Sequence, residues 1–447
     1  MGARLDKMFL LVYINGMKAS KIISAVGVVA LIGLFGYWWV ATPGVSAAGR
    51  VAAVFSAALF GAVCLRFVPG WMAFWNGKAI GAAVDSEPDF MLPKLFCGLL
   101  AADLGVVLLV AALRGIFGYS DGLEFWTCTD SRHYLDIARD WYLSEGEWDR
   151  LVQLVFLPGY PLAVRAAHGL ISDWLVAGMA VSAVCFAGAG CVFYRLLRLD
   201  VCHRTAVRTL KYLCLLPGAF FFAAPMSESL FLLLCLGCLY AARRDRWLPA
   251  GLLGGLAAFT RSLGLTLVVP LVFLWVRERK RLSPSRLAAV FLVAAGFGAY
   301  CLVNDSVAGD PFQFMEYQRV HWSQQLGLFW NTAAYQTEWA VRSAGTADFW
   351  GLWLPNLVYG FGTLGLMLFA VKRLRADYAA WFLAYYFVAM GATWLLSAPR
   401  YLVAMPVVSM ALGAVTEDRR ADAAATVGCG CGAVFYLCAF VLRWQVW

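Results

Sequence analysis

Charge is what this sequence has least of. Only 14% of its 447 residues are Asp, Glu, Lys or Arg, whereas 62% are hydrophobic, and the mean hydropathy is +0.71. A soluble chain of this length carries about 25% charged residues, so the composition excludes a soluble protein and requires a polytopic membrane protein. Metal-ligand spacing is missing too. Most of the thirteen cysteines sit inside apolar runs, as Cys185, Cys191, Cys235, Cys238, Cys301 and Cys438 do, where cysteine acts as a small hydrophobe. Cys429 and Cys431 form only C-x-C with no histidine nearby, so neither a zinc site nor a disulfide framework is expected. There is no Gly-rich phosphate cradle, no convincing internal repeat and no cleavable signal peptide, because the first apolar run (Ile22 to Ala41) is long enough to span and more spans follow. The net charge of +9 would suit nucleic acid in a soluble protein. In a membrane protein it marks cytoplasmic loops, so no nucleic-acid partner is expected.

What is present is a series of long apolar runs. About 20 apolar residues cross the hydrocarbon as a helix, and only helices satisfy their own backbone there. Thirteen transmembrane helices are predicted, near 22–41, 49–69, 95–117, 174–196, 208–224, 227–242, 247–261, 263–276, 287–303, 351–371, 378–396, 401–416 and 424–443. One set of connections is basic: Arg4, Lys7, Lys18 and Lys21; Lys78 and Lys94; Arg195 to Lys211; "ARRDR" at Ala242; "RERKR" at Arg277; "KRLR" at Lys372; "DRR" at Asp418. The other set has two long acid-containing loops, 119–173 and 304–350, and short links at "PMSES", "FTRS" and "SAPR". Lys and Arg favour the cytoplasmic side, which puts the second set outside. Basic clusters at both ends of 247–276 demand an even number of crossings. That run is therefore two short helices, or a re-entrant pair, meeting near Thr260 to Ser262.

The outer links carry the ionisable residues. Asp130 opens "TDSRHYLDIARDWY", in which Tyr134, Ile137, Ala138 and Trp141 recur at helical spacing while Asp136 and Asp140 share the opposite face. A second amphipathic run starts at Pro158 and Pro161, so the first long loop should hold interfacial helices. Asp130 has two readings, a cap on that helix or a general base at the water–lipid boundary. Glu228 stands at the mouth of a membrane helix, either favouring its positive end or contacting substrate. Arg261 interrupts a long apolar stretch, and Arg400 sits at a helix start where the dipole disfavours a cation. Each either snorkels to the interface or faces an anion. "YQRVHW" adds Arg319 and His321, or simply an aromatic belt. Arginine's fork matches phosphate oxygens and a carboxylate accepts a hydroxyl proton. A substrate with its phosphate at the interface and its tail in lipid would meet both.

These residues also carry a resemblance. "TDSRHYLDIARDWY", "FLPGYPLAVR", "FFFAAPMSESLFLLLCLGCLYAARR", "FTRSLGLTLVVP", "QRVHW" and "SAPRYLVAMP" make residues 95–416 similar to the GT-C glycosyltransferases. Within that group they resemble the PIG-V type, the second mannosyltransferase of glycosylphosphatidylinositol synthesis, and its bacterial relatives. Thr129 stands where that family has tryptophan, and Trp141 where it usually has glycine. Residues 1–94, with an extra pair of spans, lie outside the likeness, leaving 95–447 as the catalytic domain.

The resemblance implies a GT-C-type fold and an inverting, metal-independent mannosyltransferase without a cofactor. Such an enzyme takes mannose from a polyprenyl-phosphate carrier to a glycolipid or glycan acceptor, outside the cytoplasm and here in a bacterial plasma membrane. On that analogy Asp130 is the base, and Glu228, Arg261, His321, Arg400, His133, Arg132 and Tyr401 bind substrate. A rival of another class is a lipid-linked sugar transporter or flippase that forms no bond, although transporters tend to show repeats and midplane sites. A scaffold without catalysis is the third reading.

Overall fold

The computed structural model describes residues 22, 24–42, 44–75, 91–143, 152–277 and 284–446. The basic residues Arg4, Lys7, Lys18, Lys21 and Lys78, most of "RERKR", and the 144–151 part of the first long loop lie outside the described residues. In chain order the helices are α1 (Ser24–Ala41), α2 (Ala47–Trp75), α3 (Met91–Ile116), α4 (Ser131–Asp140), α5 (Gly159–His168), α6 (Trp174–Leu197), α7 (His203–Leu215), α8 (Glu228–Arg243) and α9 (Trp247–Thr260). They continue with α10 (Val268–Arg277), α11 (Pro284–Ala308), α12 (Gln313–Trp322), α13 (Phe329–Arg342), α14 (Leu354–Ala370), α15 (Ala376–Gly391), α16 (Ala398–Val403), α17 (Pro406–Val415) and α18 (Arg419–Val441). Among the described residues the fold is all-α, its one β feature being an isolated bridge between Leu326 and Ala392. Among the described residues seven helices are long and apolar enough to cross a membrane: α1, α2, α3, α6, α11, α14 with its leading turn from Phe349, and α18. The chain is thus an integral membrane protein of helical type.

Thirteen crossings are not reached by that measure. Each expected span coincides with helix, but several are short because the sequence interrupts them. The span expected at 208–224 ends as α7 at Leu215, since Pro217 cannot continue a helix and Gly218 adopts φ 90. The span at 401–416 divides into α16 and α17 at Pro406. The 247–276 run forms α9 and α10 joined through a 3-10 turn, Ser262–Leu267, with Arg261 extended (φ −148, ψ 136) at the break. A pair of short helices meeting at Thr260 to Ser262 is what the charge pattern required.

Small residues let the short helices pack closely. On α9, Gly251, Gly254 and Gly255 face Ala289, Val293 and Gly296 of α11, and a Cβ on Gly296 would run into the Gly255 carbonyl. In a bilayer such close approach supplies the dispersion that lipid does not. The N-terminal α2 lies against α13, and its Phe60 and Val63 join the same core as Trp330, Tyr385 and Leu402. A second aromatic cluster of Phe125, Tyr134, Phe156, Tyr160, Phe221 and Phe440 sits beneath α4.

The two sets of connections separate to the two ends of the bundle. Arg243 at the end of α8 pairs with Asp200 at 2.7 Å, Arg375 reaches the same carboxylate at 3.4 Å, and Lys211 pairs with Asp422 at 2.7 Å. Arg208 and Arg373 donate to the neighbouring carbonyls of Gly413 and Ala414. The other end of α8, 16 residues and about 24 Å away at helical rise, begins with Glu228. Asp130, Arg261 and Arg400 are gathered there.

Candidate active site

Asp130 directly precedes α4, yet its carboxylate makes no capping hydrogen bond. Instead Oδ2 accepts from Arg400 Nη1 at 2.7 Å, across 270 positions of sequence. Of the two sequence readings, the helix cap therefore fails. Thr129 just before it is held at φ 54, the left-handed region that β-branched residues rarely occupy. Such strain persists only where surrounding structure imposes it. Here it turns the Asp130 side chain toward Arg400.

Arg400 lies in the short helix α16, placed there by Pro399 and 4% exposed. Its Nε and Nη2 both donate to Glu228 Oε1, at 2.9 and 2.7 Å, while Nη1 serves Asp130. This answers why a cation tolerates the positive end of a helix: two carboxylates face it. Glu228 is 1% exposed and also forms an ion pair with Arg261, whose Nη1 lies 2.7 Å from Oε1. Arg261 Nη1 further donates to Ser227 Oγ at 3.3 Å, and Ser227 meets the Tyr134 hydroxyl at 2.9 Å. All these contacts of Arg261 use Nη1, so its Nε and Nη2 have no acceptor among the described residues. Its guanidinium rests over the Tyr401 ring, 4.9 Å from the centroid. Snorkelling accounts for neither arginine. Two cations and two carboxylates balance, as burial away from water demands.

A cavity of about 250 Å³ opens on this cluster, lined by Asp130, Tyr134, Arg261, Arg400, Tyr401 and Trp322 among others. Among the described residues Asp130 Oδ1 has no donor, and this carboxylate is the most exposed member of the network, its side chain 29% accessible. Chemically the site offers one carboxylate oxygen open to a proton and one guanidinium edge open to an anion. Among the described residues no three His, Cys, Asp or Glu side chains gather as a metal site.

The structure brings together Asp130, Glu228, Arg261, Arg400 and Tyr401 of the residues singled out from sequence. It does not bring His321 to them. That side chain is exposed on α12, stacked on Tyr317 at 5.3 Å, while Gln318 and Trp322 of the same helix face the cavity. His133 is buried on α4 against Phe156, 4.6 Å between centroids. Burial lowers its pKa from the ordinary 6.5, opposed by Asp130 and Asp136 and assisted by Arg132. Arg132 is exposed and turns to Asp136 at 4.0 Å, on the far side of α4; burial raises the Asp136 carboxyl above its usual range against the pull of Arg139 and Arg132. Of Arg261 and Arg400, both assigned to substrate by the resemblance, Arg400 spends its whole fork on protein carboxylates. In the sequence Tyr134 reads only as an apolar-face residue. The i+4 spacing of Tyr134 from Asp130 was the available signal.

Residues 117–296 match the family model described as Mannosyltransferase (PIG-V). The chain is 33% identical over 186 residues to GPI alpha-1,6-mannosyltransferase 2 of Rattus norvegicus, covering 38% of this chain and 34% of that protein. To its Mus musculus counterpart it is 33% identical over 170 residues, covering 34% and 31%. The chain thus spans about a third of the length of these curated relatives. Among solved structures it is similar to ArnT from Cupriavidus metallidurans bound to undecaprenyl phosphate, at TM-score 0.43 and 15% identity over 76% of each chain. Asp130, Tyr134, Ser227, Glu228 and Arg261 all fall inside the matched region; Arg400 and Tyr401 fall outside it.

Proposed function

We propose that the chain is a membrane glycosyltransferase of the GT-C type that moves a mannosyl residue from a polyprenyl-phosphate carrier to an acceptor hydroxyl, with inversion, on the extracytoplasmic side. The observation that carries this reading is Asp130, one oxygen fixed by Arg400 and the other open to a cavity shared with Arg261. The family match and the mannosyltransferase relatives supply the sugar.

In this mechanism the acceptor oxygen attacks the anomeric carbon as Asp130 Oδ1 takes its proton. The bond from that carbon to the phosphate oxygen breaks, and polyprenyl phosphate leaves with one more negative charge. Arg261 meets that charge with its unused Nε and Nη2, a preorganised donor set in a site shielded from water. Arg400 acts through others: it holds Asp130 and Glu228 in place. Glu228 restrains the two guanidinium groups. Tyr134 and Ser227 fix the angle of Arg261.

Incubation of purified protein with labelled polyprenyl-phosphate-mannose and a membrane lipid extract tests the proposal. Wild type should yield a labelled product and release polyprenyl phosphate. Donor carried across a vesicle bilayer with its sugar still attached would replace the transferase by a transporter.

A further inference from the structure

α4 separates two cavities. Asp130 and Tyr134 face the one described above, whereas Thr129, Arg132, Asp136 and Arg139 line a second of about 840 Å³. At the start of the helix the division falls between consecutive residues, about 3.8 Å apart at Cα. Thr129, the strained residue, belongs to the larger cavity, and its Oγ1 is buried with no hydrogen-bond partner among the described residues. The opposite wall comes from distant sequence: Trp174 at the start of α6, Phe440 in α18, and Arg443 just beyond. Arg114 anchors that wall. It donates to the Val441 carbonyl at 2.8 Å and pairs with Asp121, which also meets Arg443 at 3.3 Å.

We infer that the larger cavity binds the neutral glycan portion of the acceptor and presents the reacting hydroxyl at the Thr129–Asp130 turn. The inference rests on the transferase reading of the smaller site. Three observations carry it. The volume lies in the range of sites for compact organic ligands, roughly 300–1,000 Å³, and is more than three times that of the smaller cavity. The charged lining residues cancel, Arg132, Arg139 and Arg443 against Glu124, Asp136 and Asp173. A phosphate would meet as many anions as cations there, whereas sugar hydroxyls both donate and accept and use both signs. Trp174, half-buried with one face stacked on His168 at 3.6 Å, adds apolar surface for the C–H face of a sugar ring. Holding the unreactive part of an acceptor at a distance also suits catalysis, since remote binding energy orients the reacting group.

Calorimetric titration of the full chain in detergent with neutral mannotriose reads this cavity without turnover. Wild type should bind saturably. Trp174→Ala and Arg443→Ala should each weaken binding about tenfold, some 1.4 kcal/mol. Arg261→Lys should leave mannotriose binding as in wild type while weakening binding of polyprenyl phosphate. Absence of binding by wild type, retention by both cavity variants, or its loss in Arg261→Lys overturns the assignment. Parallel transfer assays separate the two claims. Product formation with an acceptor KM that Arg443→Ala does not change removes the glycan site and leaves the transferase. Mannotriose binding in a protein that transfers no sugar removes the transferase instead.

Discussion

Replacing Glu228 by glutamine tests the electrostatic logic of the site most directly. The four buried or half-buried groups Asp130, Glu228, Arg261 and Arg400 sum to zero formal charge, two positive against two negative. Glu228 Oε1 alone accepts two hydrogen bonds from Arg400 and forms an ion pair with Arg261. Glu228→Gln keeps the shape but leaves one cation in excess where water does not reach. Removing one partner of a buried pair costs about 3–5 kcal/mol, mostly for the charge left behind. Because each 1.4 kcal/mol is tenfold, the unfolded fraction should rise by roughly two to three and a half powers of ten. Arg261→Gln should do similar harm by leaving one anion in excess. Joining the two restores neutrality, since Arg400 and Asp130 remain paired. The double variant should be more stable than the sum of the singles predicts, by about 2 kcal/mol, the scale of coupling between residues in contact. Reversible denaturant titrations in detergent, compared across wild type, both singles and the double, measure it. A double variant whose loss equals the sum of the single losses would show that charge balance is not what holds the cluster. Transfer should remain absent in the double, because the guanidinium edge facing the cavity is gone.

Asp130→Asn retains an oxygen that can accept from Arg400 but removes the base, so turnover should drop roughly 100-fold or more while polyprenyl phosphate still binds; transfer near the wild-type rate would take Asp130 out of its role. His133 supplies a pH dependence. Its folded pKa is depressed below 6.5 by burial, so the unfolded chain binds the proton more readily. Stability is therefore full above pH 6.5 and declines as pH falls from there toward the depressed value. Inactivation midpoints against pH should slope less in His133→Gln over that window, and an identical slope would assign the titration to another group. Gly296→Val puts a branched side chain against the Gly255 carbonyl; the variant should give little folded protein by size-exclusion chromatography, and normal yield would mean that α9 and α11 can part without penalty.

Much of the fold was legible because the bilayer imposes one-dimensional rules. Apolar run length and the alternation of basic and acidic links located the helices. They also required the break at Arg261, which the structure places between α9 and the 3-10 turn. The span lengths were less legible. Pro217 and Pro406 sit inside apolar runs, and hydropathy does not register the missing backbone donor that ends a helix. His321 shows a further limit. Membership of the second long loop put it at the right end of the bundle, but the rotation of α12 decides which side chains turn inward, and there Gln318 and Trp322 do.

The sequence by itself determined that this chain lives in a membrane, that its helices run back and forth, and that the links at one end of the bundle hold the groups able to do chemistry. Those are consequences of composition and spacing, readable residue by residue. Only the tertiary structure decided who pairs with whom. Arg400 reaches Asp130 and Glu228 across 270 and 172 positions of sequence, and that pairing turns one arginine into a clamp while leaving Arg261 facing the cavity. Pair geometry at that range depends on how α4, α8, α9 and α16 pack, and no local pattern encodes it. The two cavities on either side of α4 arise in the same way, from a single strained turn at Thr129 seated between walls that the chain supplies from its distant parts.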